Sequence, residues 1–161
     1  MTTQSATQPK PYPRDRLAAQ PIGYWTGAAY REVVGRIRKE LATESLTQPH
    51  WWILNHVAAA PARWTRTELT AKLQRYDDQG IDFDEVFDDL VGRTWLTEDE
   101  PGAETLTLTE AGEAGLARAR ERTLRSHEQT HAGITEEEYV ATLDVLRRVI
   151  TNLGGDSDLP E

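Results

Sequence analysis

The chain has 161 residues, 38% hydrophobic and 28% charged, which suits one water-soluble domain with a sizeable core. It has no Cys, no run of eighteen apolar residues and no apolar signal segment in its N-terminal MTTQSATQPKPYPRDR, so disulfides, thiolate chemistry and a membrane helix are excluded and a cytoplasmic location is expected. The formal net charge of −9 is uneven: residues 63–110 hold five bases and thirteen acids, whereas residues 10–43 hold seven bases and three acids.

Residues 1–21, with four prolines, are expected to be a poorly ordered arm. From Ile22 to about Glu44, Ile22, Trp25, Ala29, Val33, Ile37 and Leu41 recur at helical spacing. Thr47 as N-cap, with Pro49 in the first turn, opens a second helix through QPHWWILNHVAAA. Thr65 and Glu68 form a capping box for a third, with Leu69, Leu73 and Tyr76 as its buried stripe. After DDQG, a helix capped by Asp82 places Phe83, Val86, Phe87, Leu90 and Val91 on one face and Asp84, Glu85, Asp88 and Asp89 on the other. Residues 95–109 read as two short strands around a Pro-Gly turn. A long helix capped by Thr109 then runs from Glu110 to about His131, with Arg118, Arg120, Arg122 and Arg125 on its surface. The last helix starts at the capping box Thr135/Glu138, with Ile134 and Tyr139 spaced as a hydrophobic staple. Its stripe is Tyr139, Leu143, Leu146, Ile150 and Leu153, and Gly154-Gly155 ends it. The long stripes of the first and last helices need a cover, expected from each other and from a second copy of the chain.

Catalytic chemistry is hard to assemble from this inventory. The four His and scattered Ser form no nucleophile–base–orienter set, so no enzyme activity and no cofactor are expected. His127 and His131 lie four apart and could share a metal, but no third ligand is near them in sequence. The pairs Asp84/Asp88 and Glu85/Asp89 supply too few oxygens for a calcium or magnesium site.

The element order, together with LTQPHWWILNHV, WTRTELTAKL, LVGRTWLT, LTLTEAGEAGLARARER and GITEEEYVATLDVLRRVITNL, resembles the MarR (multiple antibiotic resistance regulator) family over about residues 22–154. The resemblance implies a mainly α fold: a winged helix-turn-helix lobe at about 46–109 with a small β-wing, framed by dimerisation helices at about 22–44 and 110–154, and a tail at 155–161. It also implies a homodimer that regulates transcription, two recognition helices in successive major grooves, and a crevice for a small aromatic ligand. Trp25, Tyr30, His50, Trp51 and Leu54 fall near that crevice, and Arg118 could meet a ligand carboxylate.

The charge pattern departs from the family. The outward recognition positions are Asp82, Asp84, Glu85, Asp88 and Asp89, and the wing reads Glu98, Asp99, Glu100, Pro101, Gly102 without a base. Phosphate contacts need cations or hydrogen-bond donors. Capping and the helix dipole account for Asp82, Asp84 and Glu85 but not for Asp88 and Asp89, one turn further in. Conventional DNA binding is therefore expected to be disfavoured. The alternatives are a dimer whose acidic lobe docks a basic protein, or one that binds or transforms a small molecule in the Trp-lined crevice.

Overall fold

The computed structural model describes residues 10–98 and 104–158. The elements in chain order are α1 (Arg14–Ala18), α2 (Ile22–Ala42), α3 (Gln48–Ala59), α4 (Arg66–Leu73), a 3-10 turn (Gln74–Tyr76), α5 (Phe83–Gly92), β1 (Leu96–Glu98), β2 (Leu106–Leu108), α6 (Glu110–His131) and α7 (Glu136–Asn152). The chain divides into two units, Pro11–Ser126 and a C-terminal unit from His127 onward. No helix among the described residues is long and apolar enough to cross a membrane.

The helix starts follow local chemistry. Thr65 and Thr135 accept from the backbone N–H of Glu68 and Glu138, and the two glutamates accept in return from the cap amides. At α3 the third residue is His50, whose Nδ1 takes the Thr47 N–H at 3.2 Å. Each such cap is worth about 1 kcal/mol. Helix α5 is amphipathic as its sequence demands: Phe83, Val86, Phe87 and Leu90 are buried, and Asp82 accepts from the Asp84 N–H at 3.0 Å.

The core lies in the first unit. Leu41 at the end of α2, Leu46 in the connection that follows it, Ile53, Leu54 and Val57 of α3, Leu69 and Leu73 of α4, and the apolar face of α5 close on one another. Leu96 and Leu106 of the wing root and Leu116 and Ala119 of α6 complete it. Burial at this level contributes about 1.5–3 kcal/mol for each large side chain, and it seats α5 between α4 and the wing.

The wing strands pair antiparallel in the register Leu96↔Leu108, Thr97↔Thr107, Glu98↔Leu106. After α5 the chain turns through Thr94 at φ 59°, with Thr94 N–H on Val91 O and Trp95 N–H on Leu90 O, and this places Trp95 at the wing root. Trp95 then explains EAGEAG at the start of α6. A Cβ on Gly112 would stand 2.1 Å from the Trp95 carbonyl oxygen, and one on Gly115 would stand 2.4 Å from the indole ring. Both glycines are therefore a packing requirement that fixes the long helix to the wing root.

Two sequence expectations change. Part of the segment expected to be irregular is helical, because Pro13 precedes RDRLA and leads into α1. Tyr76 is 38% exposed, since the backbone tightens into a 3-10 turn there and swings it off the α4 stripe onto Trp52. At the start of α7, Ile134 and Tyr139 are 47% and 39% exposed, and the Tyr139 ring lies 4.4 Å from that of His131.

Candidate functional site

The candidate recognition face is α5 with the wing root, and its acids are not left as bare charges. Arg66, the first residue of α4, donates from Nη1 to Asp88 Oδ1 at 2.7 Å and from Nε to Glu98 Oε1. Its guanidinium also lies 5.4 Å from the Phe87 ring centre. Burial disfavours the Arg66 charge, but the two carboxylates outweigh it and hold its pKa above the ordinary value. Asp89 takes two partners on its Oδ2, Arg93 Nε at 2.6 Å and His50 Nε2 at 2.9 Å. Asp82 is the cap. Among the described residues this leaves Asp84 and Glu85 as the acids of α5 without a side-chain partner, both exposed in the first turn where the dipole favours them. Asp99, Glu100 and Gly102 lie outside the described residues.

His50 ties this face to the start of α3. It is 8% exposed, and because Nδ1 accepts the Thr47 N–H, the proton sits on Nε2 and is donated to Asp89. Burial lowers its pKa, and Asp89 only partly opposes that. The imidazole is thus a neutral strut between the N-terminus of α3 and α5.

A second strut holds the loop before α5. Tyr30 of α2 donates its hydroxyl to Asp78 Oδ2, while Arg38 donates Nη2 to Asp78 Oδ1 at 2.7 Å and Nε to Gln48 Oε1 at 2.7 Å. The neighbouring Asp77 accepts the Gln79 and Ile81 amides at 2.9 and 2.6 Å, closing the turn that delivers Asp82 to its cap. The hydrogen bond from Tyr30 lowers the Asp78 pKa and raises that of the phenol.

The residues expected at the ligand crevice differ in their surroundings. Trp25 is 44% exposed and donates Nε1 to Gln20 at 2.8 Å; Tyr30 and His50 are the struts; Trp51 is half-buried; Leu54 is wholly buried core. Arg118 donates to Glu44 Oε2 at 2.9 Å beside Arg122 on Oε1 at 2.7 Å, and those bonds lower the Glu44 pKa. Trp64 carries Arg63 and Lys72 over its ring at 4.8 and 5.5 Å, with His56 at its edge. In the C-terminal unit the His127 and His131 rings stack at 4.1 Å and His131 lies against Tyr139. No group of three metal-binding side chains exists among the described residues.

Sequence reasoning missed Arg66 and Arg93 as partners of the acids. Arg93 was readable, because it stands four residues after Asp89 on the same helix face. Arg66 was not, because its carboxylates lie 22 and 32 residues away.

No protein-family model and no curated protein matches the chain. Solved structures do match. The transcriptional repressor CouR bound to p-coumaroyl-CoA is 25% identical, with 80% of this chain and 91% of that one covered at a TM-score of 0.65. The PcaV transcriptional regulator of Streptomyces coelicolor is 20% identical over 84% of this chain and 98% of its own, at a TM-score of 0.66. A Mycobacterium tuberculosis MarR family protein in complex with DNA is 17% identical over 81% and 98%, at a TM-score of 0.62. CouR and PcaV are transcriptional regulators, and with its helices and small two-stranded antiparallel wing the chain has the MarR-like winged-helix fold.

Proposed function

We propose that the chain is a homodimeric, cytoplasmic transcriptional regulator of the MarR kind that holds DNA weakly. One observation carries the reading: α5 occupies the recognition position, yet the cations beside it, Arg66 and Arg93, are already bound to its own acids at 2.7 and 2.6 Å. A phosphate would have to displace Asp88, Glu98 or Asp89 to gain a cation. Each neutralised phosphate contributes a salt-dependent gain, so a face with its cations occupied gives a small footprint. Direct readout by the acids is restricted to accepting from cytosine.

The dimer is supported by apolar side chains that one chain leaves uncovered. Tyr24, Trp25 and Val33 on α2, and Tyr139, Leu143, Ile150 and Leu153 in the C-terminal unit, are all exposed. A small aromatic ligand is proposed at the α2–α3 side, beside Trp25 and Trp51, where a shift of Tyr30 or of His50 would move one of the two struts of α5. CouR, bound to an acyl-CoA, is a relative of this fold that takes a small molecule. Exposed, unpaired Asp84 and Glu85 support a second reading, contact with a basic protein surface by the same face.

Selection from a random duplex pool at low salt tests the proposal. The expected result is enrichment of an inverted repeat bound more weakly than about 1 µM at physiological salt. Absence of any enriched sequence, with retention of a basic protein partner instead, would favour the second reading.

A further inference from the structure

Helix α6 presents two different polar faces. Arg118 and Arg122 turn toward Glu44 at the end of α2. Arg120 stands roughly 200° around the helix from Arg118 and opens onto a pocket of about 590 Å3 formed by the end of α3, the wing strand β2 and α6. That size falls within the roughly 300–1,000 Å3 of ordinary small-molecule sites. The pocket shares no residue with the crevice expected from the sequence.

Its walls divide by chemistry. Val57, Leu108, Leu116 and Ala117 supply an apolar middle, with Arg120 toward one end and Glu113 toward the other. Seven residues separate the two charges, two helical turns or ~10 Å on one side of α6. Arg120 is held in place: its Nε and Nη2 both donate to Asn55 Oδ1, at 3.1 and 2.9 Å, and Asn55 Nδ2 donates to the Trp51 carbonyl at 2.8 Å. The Trp51 bond fixes which way the Asn55 amide faces. Nη1 of Arg120 and the Glu113 carboxylate have no partner among the described residues. A pre-set cation binds an anion without the entropy cost of ordering a long side chain.

We propose that this pocket at the wing root is a small-molecule site for an elongated amphipathic zwitterion, with its carboxylate on Arg120 and its ammonium on Glu113. Its apolar body covers Val57, Leu108 and Leu116. The occupant bridges β2 and α6, so it bears on the same wing root that Trp95 and Gly112 fix.

Calorimetric titration of the full chain tests the site with three probes: 3-(4-aminomethylphenyl)propanoate, 3-phenylpropanoate without the amine, and 4-propylbenzylamine without the carboxylate. The zwitterion is expected to bind once per chain and at least tenfold more tightly than either truncated probe. Arg120→Gln should weaken the zwitterion and the propanoate tenfold or more and spare the amine. Glu113→Gln should weaken the zwitterion and the amine and spare the propanoate. Ala117→Trp, at an exposed position that leaves the core intact, should abolish all three. Tyr30→Phe, on α2 at the expected crevice, should change none. Absence of heat from the zwitterion, binding that survives both Arg120→Gln and Ala117→Trp, or loss on Tyr30→Phe alone would overturn the assignment. Circular dichroism of each variant separates a folding defect from a lost site.

Discussion

Replacing Gly112 by Ala should destabilise the protein although it improves helix propensity. The new Cβ would lie 2.1 Å from the Trp95 carbonyl oxygen and 2.9 Å from its carbon, so relief requires a shift of roughly 1 Å in one backbone or the other. The Trp95 peptide has little room to move: its N–H is bonded to Leu90 O at 2.9 Å and its oxygen accepts the Thr109 N–H at 3.1 Å. Overpacking costs ~1–3 kcal/mol. Loss of the Thr109 bond costs about 1 kcal/mol. Both are opposed by ~1 kcal/mol gained from Gly→Ala in a helix. The net is a loss of ~1–3 kcal/mol, a drop of order 1 M in the urea midpoint at fixed protein concentration. Gly35→Ala on α2 is the control, since a Cβ there meets nothing within 4 Å and should stabilise by ~0.5–1 kcal/mol. If Gly112→Ala proves as stable as the parent, the account of EAGEAG as a seat for Trp95 is wrong.

Because burial lowers the folded His50 pKa below its ordinary 6.5, the unfolded chain binds the extra proton first. The increment is therefore fully present above about pH 6.5 and is lost as the pH falls through the folded value; the urea midpoint should fall from pH 7 to 5 in the parent and fall less in His50→Gln. Tyr30→Phe removes the hydroxyl on Asp78, so amide exchange of Gln79 and Ile81 should quicken while Leu69 in the α4 core keeps its protection; equal rates at Gln79 and Ile81 would refute the strut. Leu143→Asp with Ile150→Asp places charge on exposed α7 positions and should give monomer by light scattering at micromolar concentration, whereas an intact dimer would remove the C-terminal unit from the interface.

Much of this fold was readable because its signals are local. The capping boxes at Thr65 and Thr135, the apolar face of α5 and the two short strands of the wing are each set by residues within a few positions of one another. The candidate site was less legible for the opposite reason. Asp88 and Asp89 looked unexplained on their own helix, and their explanation comes from Arg66 on α4, His50 on α3 and Arg93 beyond the end of α5. Likewise Gly112 and Gly115 read as poor helix residues until Trp95 is placed beneath them, and Asn55 has no role until Arg120 reaches it across 65 positions.

The salt dependence of DNA affinity reports how many cations the face of α5 offers to phosphate. With the duplex enriched at low salt, anisotropy titrations between 50 and 200 mM salt give the slope of log affinity against log salt, about −0.9 for each phosphate neutralised. Occupied cations on the recognition face predict a slope no steeper than about −3. Asp88→Asn, which releases an arm of Arg66, should steepen it, whereas Asp84→Asn, which removes the same charge without freeing a cation, should steepen it less. A slope near −8 with sub-micromolar affinity in the parent chain would contradict the account.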